Sequence, residues 1–477
     1  MQIKKKRKGL RTMTNKTNNM RLFHGDCLEV LRTLPDNSVD SCVTDPPYGL
    51  SREPDIREVL TKWLAGEPYD HGHGGFMGKA WDSFVPHPDI WREVYRVLKP
   101  GGHALVFAGT RTQDLMTISL RLAGFEVRDV IEWLYFSGFP KSLDVSKAFD
   151  KRKGGASFVH DFAKLIKKKR LEKGYSLAFM DKEVCGGTTN YSWFEGRPAG
   201  VRLPQLKEYY KIKELLDLDD TYDELMEEAE REKIGEFEYK RKGDGTWDAE
   251  SPGGMFGAQE RTVEITAPAT DLAKKWNGWG TALKPAHEPI ILARKPLDGT
   301  VADNVERWGT GAINVDGCRI DYADDQDRKQ NTEGLSRFLG TSGGWKNTSI
   351  EGVKPSGNAI KGRFPANCIT TEPDAFFSKY FNVTPPELCK KALNKDRNSD
   401  WRGEEIGATN RHPTVKPTGL MAWLVRLVTP PGGVVLDPFA GSGSTLVAAR
   451  REGFGFIGCE ITDEYIPIIE ARAGVKA

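Results

Sequence analysis

The sequence predicts an α/β fold with a mixed, mostly parallel sheet, a helical insert and a loop-rich region. Strand-like and helix-like patterns alternate at both ends of the 477-residue chain, which is typical of α/β units. The charge pattern changes abruptly near residue 146, and the chain has few periodic runs after about residue 298. We therefore predict six segments: a basic flexible tail at 1–19, an α/β part at 20–145, a helical insert at 146–262, a return of the α/β part at 263–297, a loop-rich recognition region at 298–410 and a second α/β part at 411–477.

Composition excludes several classes of protein. Hydrophobic residues make up 38% of the chain, which is enough for sizeable cores and argues against disorder throughout. The net charge is only +2, so any affinity for nucleic acid must come from local patches. Seven scattered cysteines without a C-x-x-C pair predict neither a disulfide framework nor a zinc site. No apolar run approaches the ~18 residues of a membrane span. We expect a soluble, cytoplasmic protein without a membrane partner.

The first α/β part is predicted from alternating apolar patterns and turn residues. Val39 to Val43 form a buried strand pattern, and the apolar helix around Trp91 precedes a Lys-Pro-Gly-Gly turn at 99–102. The predicted elements, in order, are a strand at 21–23, a helix near 26–33, a strand at 39–44, a helix at 91–98, a strand at 103–109, a helix at 112–124 and a strand at 125–135.

The insert has a different charge pattern. Ten Lys or Arg against three acids lie between 147 and 173, whereas 214–238 holds twelve acids against two basic residues. Apolar positions at helical spacing and Gly punctuation predict four or five short helices and no strand. The insert resembles a helix-turn-helix module, with a basic helix at 164–173 that would contact DNA and an acidic helix at 217–232 facing away. A structural decoration with solvated charges is an equally weighted alternative.

A glycine loop between Asp437 and Gly443 predicts a nucleoside site. The segment forms one βαβ unit, with a strand at 434–436, a helix at 444–452 and a strand at 454–459. Glu460 follows Gly441 by 19 residues, the offset at which a carboxylate reaches a ribose hydroxyl. Asp437 leads the loop and no Lys follows, so a phosphate cradle is disfavoured. A ligand with a cationic amino acid end, S-adenosylmethionine, fits better; a purely structural turn is the alternative.

The segment Asp45-Pro46-Pro47-Tyr48 follows a buried strand, where open α/β sheets place their sites. An exocyclic amino group of a base is a poor nucleophile, and a carboxylate that accepts its hydrogens would activate it. The two prolines would hold the acceptors rigidly, and Tyr48 offers a ring on which an extruded base could stack. The alternative is a proline turn with a structural Tyr. We expect Asp45 and Asp437 to end adjacent strands and face one pocket.

Three motifs, in this order, resemble those of DNA amino-methyltransferases. They are Asp45-Pro46-Pro47-Tyr48, the segment His412-Pro413-Thr414-Val415-Lys416-Pro417, and Asp437-Pro438-Phe439-Ala440-Gly441-Ser442-Gly443. The catalytic motif comes first and the cofactor loop near the end, as in the permuted β group of that family. The resemblance covers roughly 20–145, 270–297 and 411–477, and the insert and the 298–410 region have no motif counterpart.

The resemblance implies a Rossmann-like, S-adenosylmethionine-dependent methyltransferase fold with circularly permuted motifs. It implies that Asp45, Pro46, Pro47 and Tyr48 are catalytic and that no metal is needed. Residues 66–82 resemble the family loop that closes over the flipped base of double-stranded DNA. His71 and His73 within this segment are expected to face solvent. The implied cofactor-binding residues are Asp26, Lys416, Asp437, Phe439, Gly441, Gly443 and Glu460.

Several functions compete. Methylation of adenine N6 is favoured because Asp, not Ser, heads the catalytic motif. Cytosine-N4 methylation remains an alternative, as do an RNA amino-methyltransferase and a DNA-binding regulator that works through its insert. A nicotinamide oxidoreductase is disfavoured by Asp437 and by Leu446, which stands where a third loop Gly would be. The sequence leaves open whether the enzyme is a homodimer and whether a nuclease partners it.

Overall fold

Strands and helices alternate at both ends of the chain. The structure, a computed structural model, places one unit at Met1–Gly138 with Ala286–Ala477 and a second unit at Phe139–Pro285. Within the described residues, no helix is long and apolar enough to cross a membrane. The described residues are 11–15, 19–49, 53–72, 83–135, 142–153, 156–187, 191–196, 201–229, 233–239, 261–268, 271–322, 325–326, 328–329, 362–370, 382–383 and 392–475.

Twelve strands lie in the described residues. They are β1 (Arg11–Asn15), β2 (Met20–His24), β3 (Val39–Thr44), β4 (Leu98–Phe107), β5 (Glu126–Leu134), β6 (Lys233–Tyr239), β7 (Arg261–Thr266), β8 (His287–Arg294), β9 (Cys368–Thr370), β10 (Asn382–Val383), β11 (Val434–Asp437) and β12 (Gly455–Glu460).

The α-helices of the described residues occur in both units. They are α1 (Cys27–Leu31), α2 (Ile56–Ala65), α3 (Pro88–Val97), α4 (Gln113–Leu122), α5 (Val145–Lys153), α6 (Ala156–Glu172), α7 (Leu177–Cys185), α8 (Tyr191–Phe194), α9 (Leu206–Leu216), α10 (Asp223–Ala229), α11 (Asp271–Lys275), α12 (Val301–Trp308), α13 (Asn394–Arg397), α14 (Thr418–Val428), α15 (Ser444–Arg451) and α16 (Ile466–Ala473).

A ten-stranded sheet forms the centre of the first unit, in the order β1-β2-β12-β11-β3-β4-β8-β5-β9-β10. Neighbouring strands are parallel except at β1–β2 and on both sides of β8. The prediction of a mixed, mostly parallel sheet is therefore confirmed. All six residues of β3 are buried, as expected for a strand with neighbours on both sides and helices on both faces.

Hydrophobic residues pack on each face of this sheet. One cluster joins the sheet to α14, α15 and α16 through residues such as Trp423, Val447 and Ile469. The other joins it to the early helices through Trp63, Trp91 and Leu115. Alternate residues of a strand point to opposite faces, so the neighbours Cys42 and Val43 enter different clusters.

The second unit has its own core. Phe162 and Ile166 of α6 pack with Tyr209 and Ile212 of α9 and with residues of α7 and α8. Arg170 is buried there because Glu195 pairs with it through two hydrogen bonds, at 2.5 and 3.0 Å. Helices α6 to α9 therefore pack around one core, as the helical spacing predicted.

The insert is not all helical, which corrects the sequence prediction. Strands β6 and β7 form a two-stranded antiparallel sheet with Lys233 opposite Thr266 and Tyr239 opposite Arg261. The acidic helix expected at 217–232 is also shorter. Asp217 ends α9 with φ of 51°, and α10 covers only Asp223–Ala229. A left-handed residue cannot continue a helix, so Asp217 separates the two.

Two further predictions were wrong at the backbone level. Residues 11–15 of the expected flexible tail form β1, because the edge strand β2 offers unpaired backbone groups to which this segment can bond. The expected turn at 99–102 lies within β4. There the pairing with β3 shifts, so that Leu98 faces Val39 but His103 faces Ser41. The intervening residues bulge, and Gly101 N–H donates to the carbonyl of Lys295, directly after β8, at 3.1 Å.

Candidate active site at the carboxyl edge of the sheet

Four acidic residues stand in a row at one edge of the sheet. Asp26 follows β2, Glu460 ends β12, Asp437 ends β11 and Asp45 follows β3. These four strands are adjacent and parallel, and their carboxyl ends meet at the edge where open α/β sheets bind ligands. The expectation that Asp45 and Asp437 end adjacent strands is confirmed. Thr44 links them, since its hydroxyl donates to Asp437 Oδ1 at 2.6 Å.

Asp45 belongs to a partly buried ionic cluster. Its Oδ2 lies 2.6 Å from Lys416 Nζ, and the same nitrogen lies 3.2 Å from Glu288 Oε2. The Tyr48 hydroxyl donates to Glu288 Oε2 at 3.0 Å. Asp45 Oδ1 is buried and has no hydrogen-bond partner among the described residues. Lys416 therefore holds Oδ2, and Oδ1 keeps an acceptor position, while the Tyr48 hydroxyl also stabilises the charged carboxylate.

Electrostatics keeps this cluster charged. Burial raises the pKa of Asp45, Lys416 opposes the rise, and the nearby charge of Glu288 adds to it. Burial alone would lower the pKa of Lys416, but Asp45 and Glu288 together raise it above its ordinary value. Lys416 is therefore an ammonium at neutral pH. This ammonium lies between Asp45 and Glu288 and pairs with both side chains.

The backbone of residues 45–49 is held from two sides. The Thr112 hydroxyl donates to the carbonyl of Tyr48 at 2.6 Å. Gly49 has φ of +63°, and a Cβ there would lie 3.0 Å from the backbone of Phe84 and Val85. Only glycine fits this close approach without strain. The segment that carries Asp45 and Tyr48 is thus rigid before any substrate binds.

The glycine loop connects Asp437 to Glu460. Asp437 Oδ1 accepts from the backbone N–H of Phe439 at 3.1 Å, and burial raises the pKa of Asp437 to about 6. Gly441 has φ of +55° and donates its N–H to Glu460 Oε2 at 2.7 Å. Burial also raises the pKa of Glu460. Each carboxylate keeps acceptor positions beyond these bonds.

Buried side chains support the loop from behind. Arg472 is fully buried and donates to the carbonyl of Ser442 at 2.8 Å. A Cβ on Gly441 would lie 2.9 Å from His412 Nε2, and a Cβ on Gly443 would lie 3.1 Å from Ile469 Cγ2. Glycine at both positions therefore allows the loop to pack closely on the residues beneath it.

Asp26 lies on the far side of Glu460. Its Oδ1 accepts from the backbone N–H groups of Leu28 and Glu29, which caps α1. Gly25 N–H donates to the carbonyl of Glu460 at 2.9 Å, which fixes this turn beside β12. The structure therefore brings Asp26, Glu460 and the glycine loop together at one edge.

The sequence matches the model of a known protein family. The family model described as DNA methylase, of the N6 and N4 methyltransferase type, matches residues 39–195 and 219–471. The chain belongs to the DNA methylase family. The match includes all three motifs, and it also includes parts of the insert and the whole of the 298–410 region.

Curated relatives of this DNA methylase family member align over short stretches. YubD of Escherichia coli (strain K12), named as a methylase, is 41% identical over 80 residues, which cover 17% of this chain and 33% of YubD. The Type II methyltransferase M.ScaI of Streptomyces caespitosus is 36% identical over 66 residues, or 14% of this chain and 22% of that protein. The chain thus spans about a third or less of these relatives.

Solved structures resemble this family member over most of its length at low identity. A protein of Thermus thermophilus described as a DNA modification methylase, complexed with S-adenosyl-L-methionine, covers 94% of this chain and 93% of its own. The identity is 15% and the TM-score is 0.33. The cytosine-N4-specific PvuII DNA methyltransferase covers 97% and 89%, with 13% identity and a TM-score of 0.38.

The contacts that Lys416 and Glu288 make in this DNA methylase family member could not be predicted from its motifs. Lys416 was expected to bind the cofactor, which stays a prediction, and its ammonium contacts Asp45 and Glu288. Glu288 was not singled out from the sequence. The available signal was a carboxylate directly before the buried run Pro289–Ile291. A charge at the start of a buried strand usually has a partner.

Two other expectations concern the loop that would cover the base. His71 is only 9% exposed and stacks on Phe84 at 5.5 Å, so the expectation that it faces solvent was wrong. His73 and the rest of 73–82 lie outside the described residues. Within the described part of the chain, no group of three or more His, Cys, Asp or Glu is arranged to hold a metal ion.

Proposed function

We propose that this chain transfers a methyl group from S-adenosylmethionine to the exocyclic amino group of adenine, N6, in double-stranded DNA after base flipping. One observation carries the proposal. The partly buried Asp45 carboxylate has one oxygen held by Lys416 and one buried oxygen without a hydrogen-bond partner among the described residues. It stands at the same sheet edge as the Asp437–Glu460 loop, so a base and a cofactor can meet there.

The residues present fit a cationic cofactor. Asp437 and Glu460 are buried carboxylates at 2% and 7% exposure, and Asp26 stands beside them. Such a lining attracts the ammonium and sulfonium charges of S-adenosylmethionine and would repel a pyrophosphate. Asp26, Phe439, Gly441 and Gly443 would complete its site. When bound, the cofactor supplies an electrophilic methyl group on a positively charged sulfur.

The protein's own residues prepare the amino group. Asp45 Oδ1 accepts a hydrogen from the amino nitrogen, which returns lone-pair density to that nitrogen as it attacks. The proton that the nitrogen loses on methylation goes to Asp45. Pro46 and Pro47 hold the segment rigid, and the Tyr48 ring gives the extruded base a surface on which to stack. These are positioning and acid–base contributions, which together require no metal.

Adenine is preferred to cytosine because Asp heads the catalytic motif. Adenine and cytosine both present an exocyclic amino group next to a ring nitrogen, so the same carboxylate can serve either. Cytosine N4 is therefore the second candidate. The bases differ in ring size, and the choice depends on the residues around Tyr48.

Nucleoside analysis tests this proposal directly. The chain is expressed in a methylation-free host, and the digested DNA and RNA are analysed by mass spectrometry. We expect N6-methyladenine in DNA from the wild type and none from Asp45→Asn. The Asp45→Asn protein should bind S-adenosylmethionine with nearly unchanged affinity in calorimetry, because Asp45 acts on the base. N4-methylcytosine instead would change the base assignment, and modified RNA with unmodified DNA would overturn the DNA substrate.

A further inference from the structure

Glu288 lies next to the catalytic segment although it is 240 residues from Tyr48 in sequence. It stands near the start of β8, the strand that runs antiparallel to β4 and β5, so it reaches the same sheet edge as the parallel strands' carboxyl ends. Its Oε2 accepts from the Tyr48 hydroxyl at 3.0 Å and lies 3.2 Å from Lys416 Nζ. One oxygen atom therefore holds two of the groups around Asp45.

The charges explain why a second carboxylate is needed. If Asp45 and Lys416 were alone, a proton on Asp45 would leave the buried ammonium of Lys416 uncompensated, which is costly. Lys416 is only 8% exposed, so water cannot replace the lost partner well. With Glu288 present, Lys416 stays paired when Asp45 is protonated. Asp45 can then take a proton without leaving an isolated buried charge.

We propose that Glu288 is a positioning residue of the methyl-transfer site, which holds Lys416 and Tyr48 in place and becomes the partner of Lys416 when Asp45 accepts the amino proton. This inference rests on the proposed function. The proton leaves the amino nitrogen and forms an O–H bond on Asp45 Oδ1, and the electron pair of the broken N–H bond stays on nitrogen. The step needs no further reactant.

The proposal predicts a specific change in pH dependence. The titratable or charged groups that face Asp45 and Glu288 are Lys416, Tyr48, Tyr135 at the end of β5 and Asp437. Burial raises the pKa of Asp45, and the Glu288 charge raises it further. Removing that charge must lower the pKa of Asp45. At saturating S-adenosylmethionine, so that protonation of Asp437 does not limit cofactor binding, the acid limb of kcat/KM for DNA should therefore move to lower pH, because on this limb Asp45 loses activity by protonation.

Two substitutions separate charge from geometry. Glu288→Gln should move the acid limb to lower pH and lower kcat by roughly 10²-fold, the cost of a misplaced catalytic group. Glu288→Asp keeps the charge but shortens the side chain, so the limb should stay near its wild-type position while kcat falls. The matched control is Glu452→Gln, a carboxylate of similar exposure, 18% against 17%, that pairs with Arg426. It should change neither property.

A measurement without turnover completes the test. Infrared titration of the Asp45 carboxyl, assigned by difference from Asp45→Asn, should show a lower pKa in Glu288→Gln than in the wild type. An unchanged Asp45 titration, or equal loss of kcat in all variants with no movement of the acid limb, would overturn the role of Glu288. If the wild type methylates no amino group, the proposed function fails, and the infrared result still decides whether Glu288 controls Asp45.

Discussion

Asp437 is a carboxylate with 2% exposure at the centre of the proposed cofactor site. Burial raises its pKa from 3.8 to about 6, although Thr44, Thr445 and the Phe439 N–H stabilise the charged form. In the unfolded chain the pKa returns to its ordinary value. Ionisation therefore opposes folding, and the free energy of unfolding falls as pH rises from 3.8 to about 6. A shift of about two pKa units corresponds to roughly 2–3 kcal/mol.

Asp437→Asn should consequently have opposite effects on stability and on binding. Above pH 7 the variant should be more stable than the wild type without cofactor, by up to roughly 2–3 kcal/mol, and the difference should vanish at low pH. Its affinity for S-adenosylmethionine should be weaker. Wild-type affinity should increase as pH rises through about 6, because the carboxylate then attracts the cationic ligand. Thermal unfolding and calorimetry against pH measure both, and a wild-type affinity that ignores pH in this range would contradict the assignment.

Single residues also show what a sequence can and cannot predict about this site. Asp45 and Asp437 were predictable because each directly follows or ends a buried strand, so local pattern fixes its place at the sheet edge. Glu288 was not, since its role depends on β8 pairing antiparallel between β4 and β5. The pairing of Lys416 with Asp45 was not predictable either, for the same reason. Its contacts with Asp45 cross 371 residues of chain.

At the scale of elements, α15 packs unusually closely on β12. The nucleotide-binding pattern has a third Gly at the position of Leu446, and its absence weighed against a dinucleotide site. In the structure the glycine is on the strand instead. A Cβ on Gly458 would lie 2.5 Å from Leu446 Cδ1, and Leu446 is fully buried. The close contact between α15 and β12 is therefore retained, but the small residue, Gly458, lies on the strand and the large residue, Leu446, lies on the helix.

This exchange gives a prediction for paired substitutions. Gly458→Ala should destabilise the protein by about 1–3 kcal/mol, because Leu446 has no free space into which to move. It should also weaken cofactor binding, since α15 begins directly after the glycine loop. The double variant Gly458→Ala with Leu446→Ala should recover part of both losses. Urea unfolding of the wild type, the two single variants and the double variant would measure the stability, and calorimetry with S-adenosylmethionine would measure the binding. Additive effects of the two substitutions would contradict a direct contact.

Long-range pairing also explains the elements that sequence patterns missed. Residues 99–102 have turn-forming composition, yet neighbours on both sides hold them within β4 as a bulge. The strand β1 has no strong local signal and exists through its pairing with β2. Periodic segments such as α3 and β11, in contrast, were predictable because each buries one face or both faces locally.

At the scale of the whole molecule, the two chain segments that flank the insert, at 142–143 and at 281, contact each other. Leu143 N–H donates to the Thr281 hydroxyl at 3.0 Å, and Thr281 N–H donates to the Ser142 hydroxyl at 2.9 Å. Helices α5 and α11 also contact each other. A short linker can therefore join the chain after α5 to the chain before α11, because the excised part has its own core.

The recognition of a specific DNA sequence remains a proposal for 298–410. Arg307 and Arg319 are each paired with an acid of the same region, at 2.6 and 2.8 Å. Residues 330–361, which include Arg337 and Lys346, lie outside the described residues. We propose that this region supplies base contacts, which set the sequence, while phosphate contacts elsewhere add affinity.

We propose that the insert supplies some of those phosphate contacts. Lys164, Lys167 and Lys168 are exposed on α6, and Lys164 and Lys168 have only loose acidic neighbours at 3.5 and 3.8 Å. If α6 crosses the DNA backbone, each phosphate contact releases counterions and steepens the dependence of affinity on salt. Replacing 154–268 by a Gly/Ser linker should keep methyl transfer, weaken DNA binding and flatten the slope of log affinity against log salt.

A matched variant separates charge from bulk. Lys164→Gln, Lys167→Gln and Lys168→Gln together should flatten the slope nearly as much as the excision, since the three lysines carry the proposed contacts and the helices remain folded around Phe162 and Ile166. Because the bases are not contacted by these lysines, the methylated sequence should stay the same in both variants. An unchanged salt slope in the excised protein would mean that the charges of α6 are merely solvated and that the insert has no part in binding DNA.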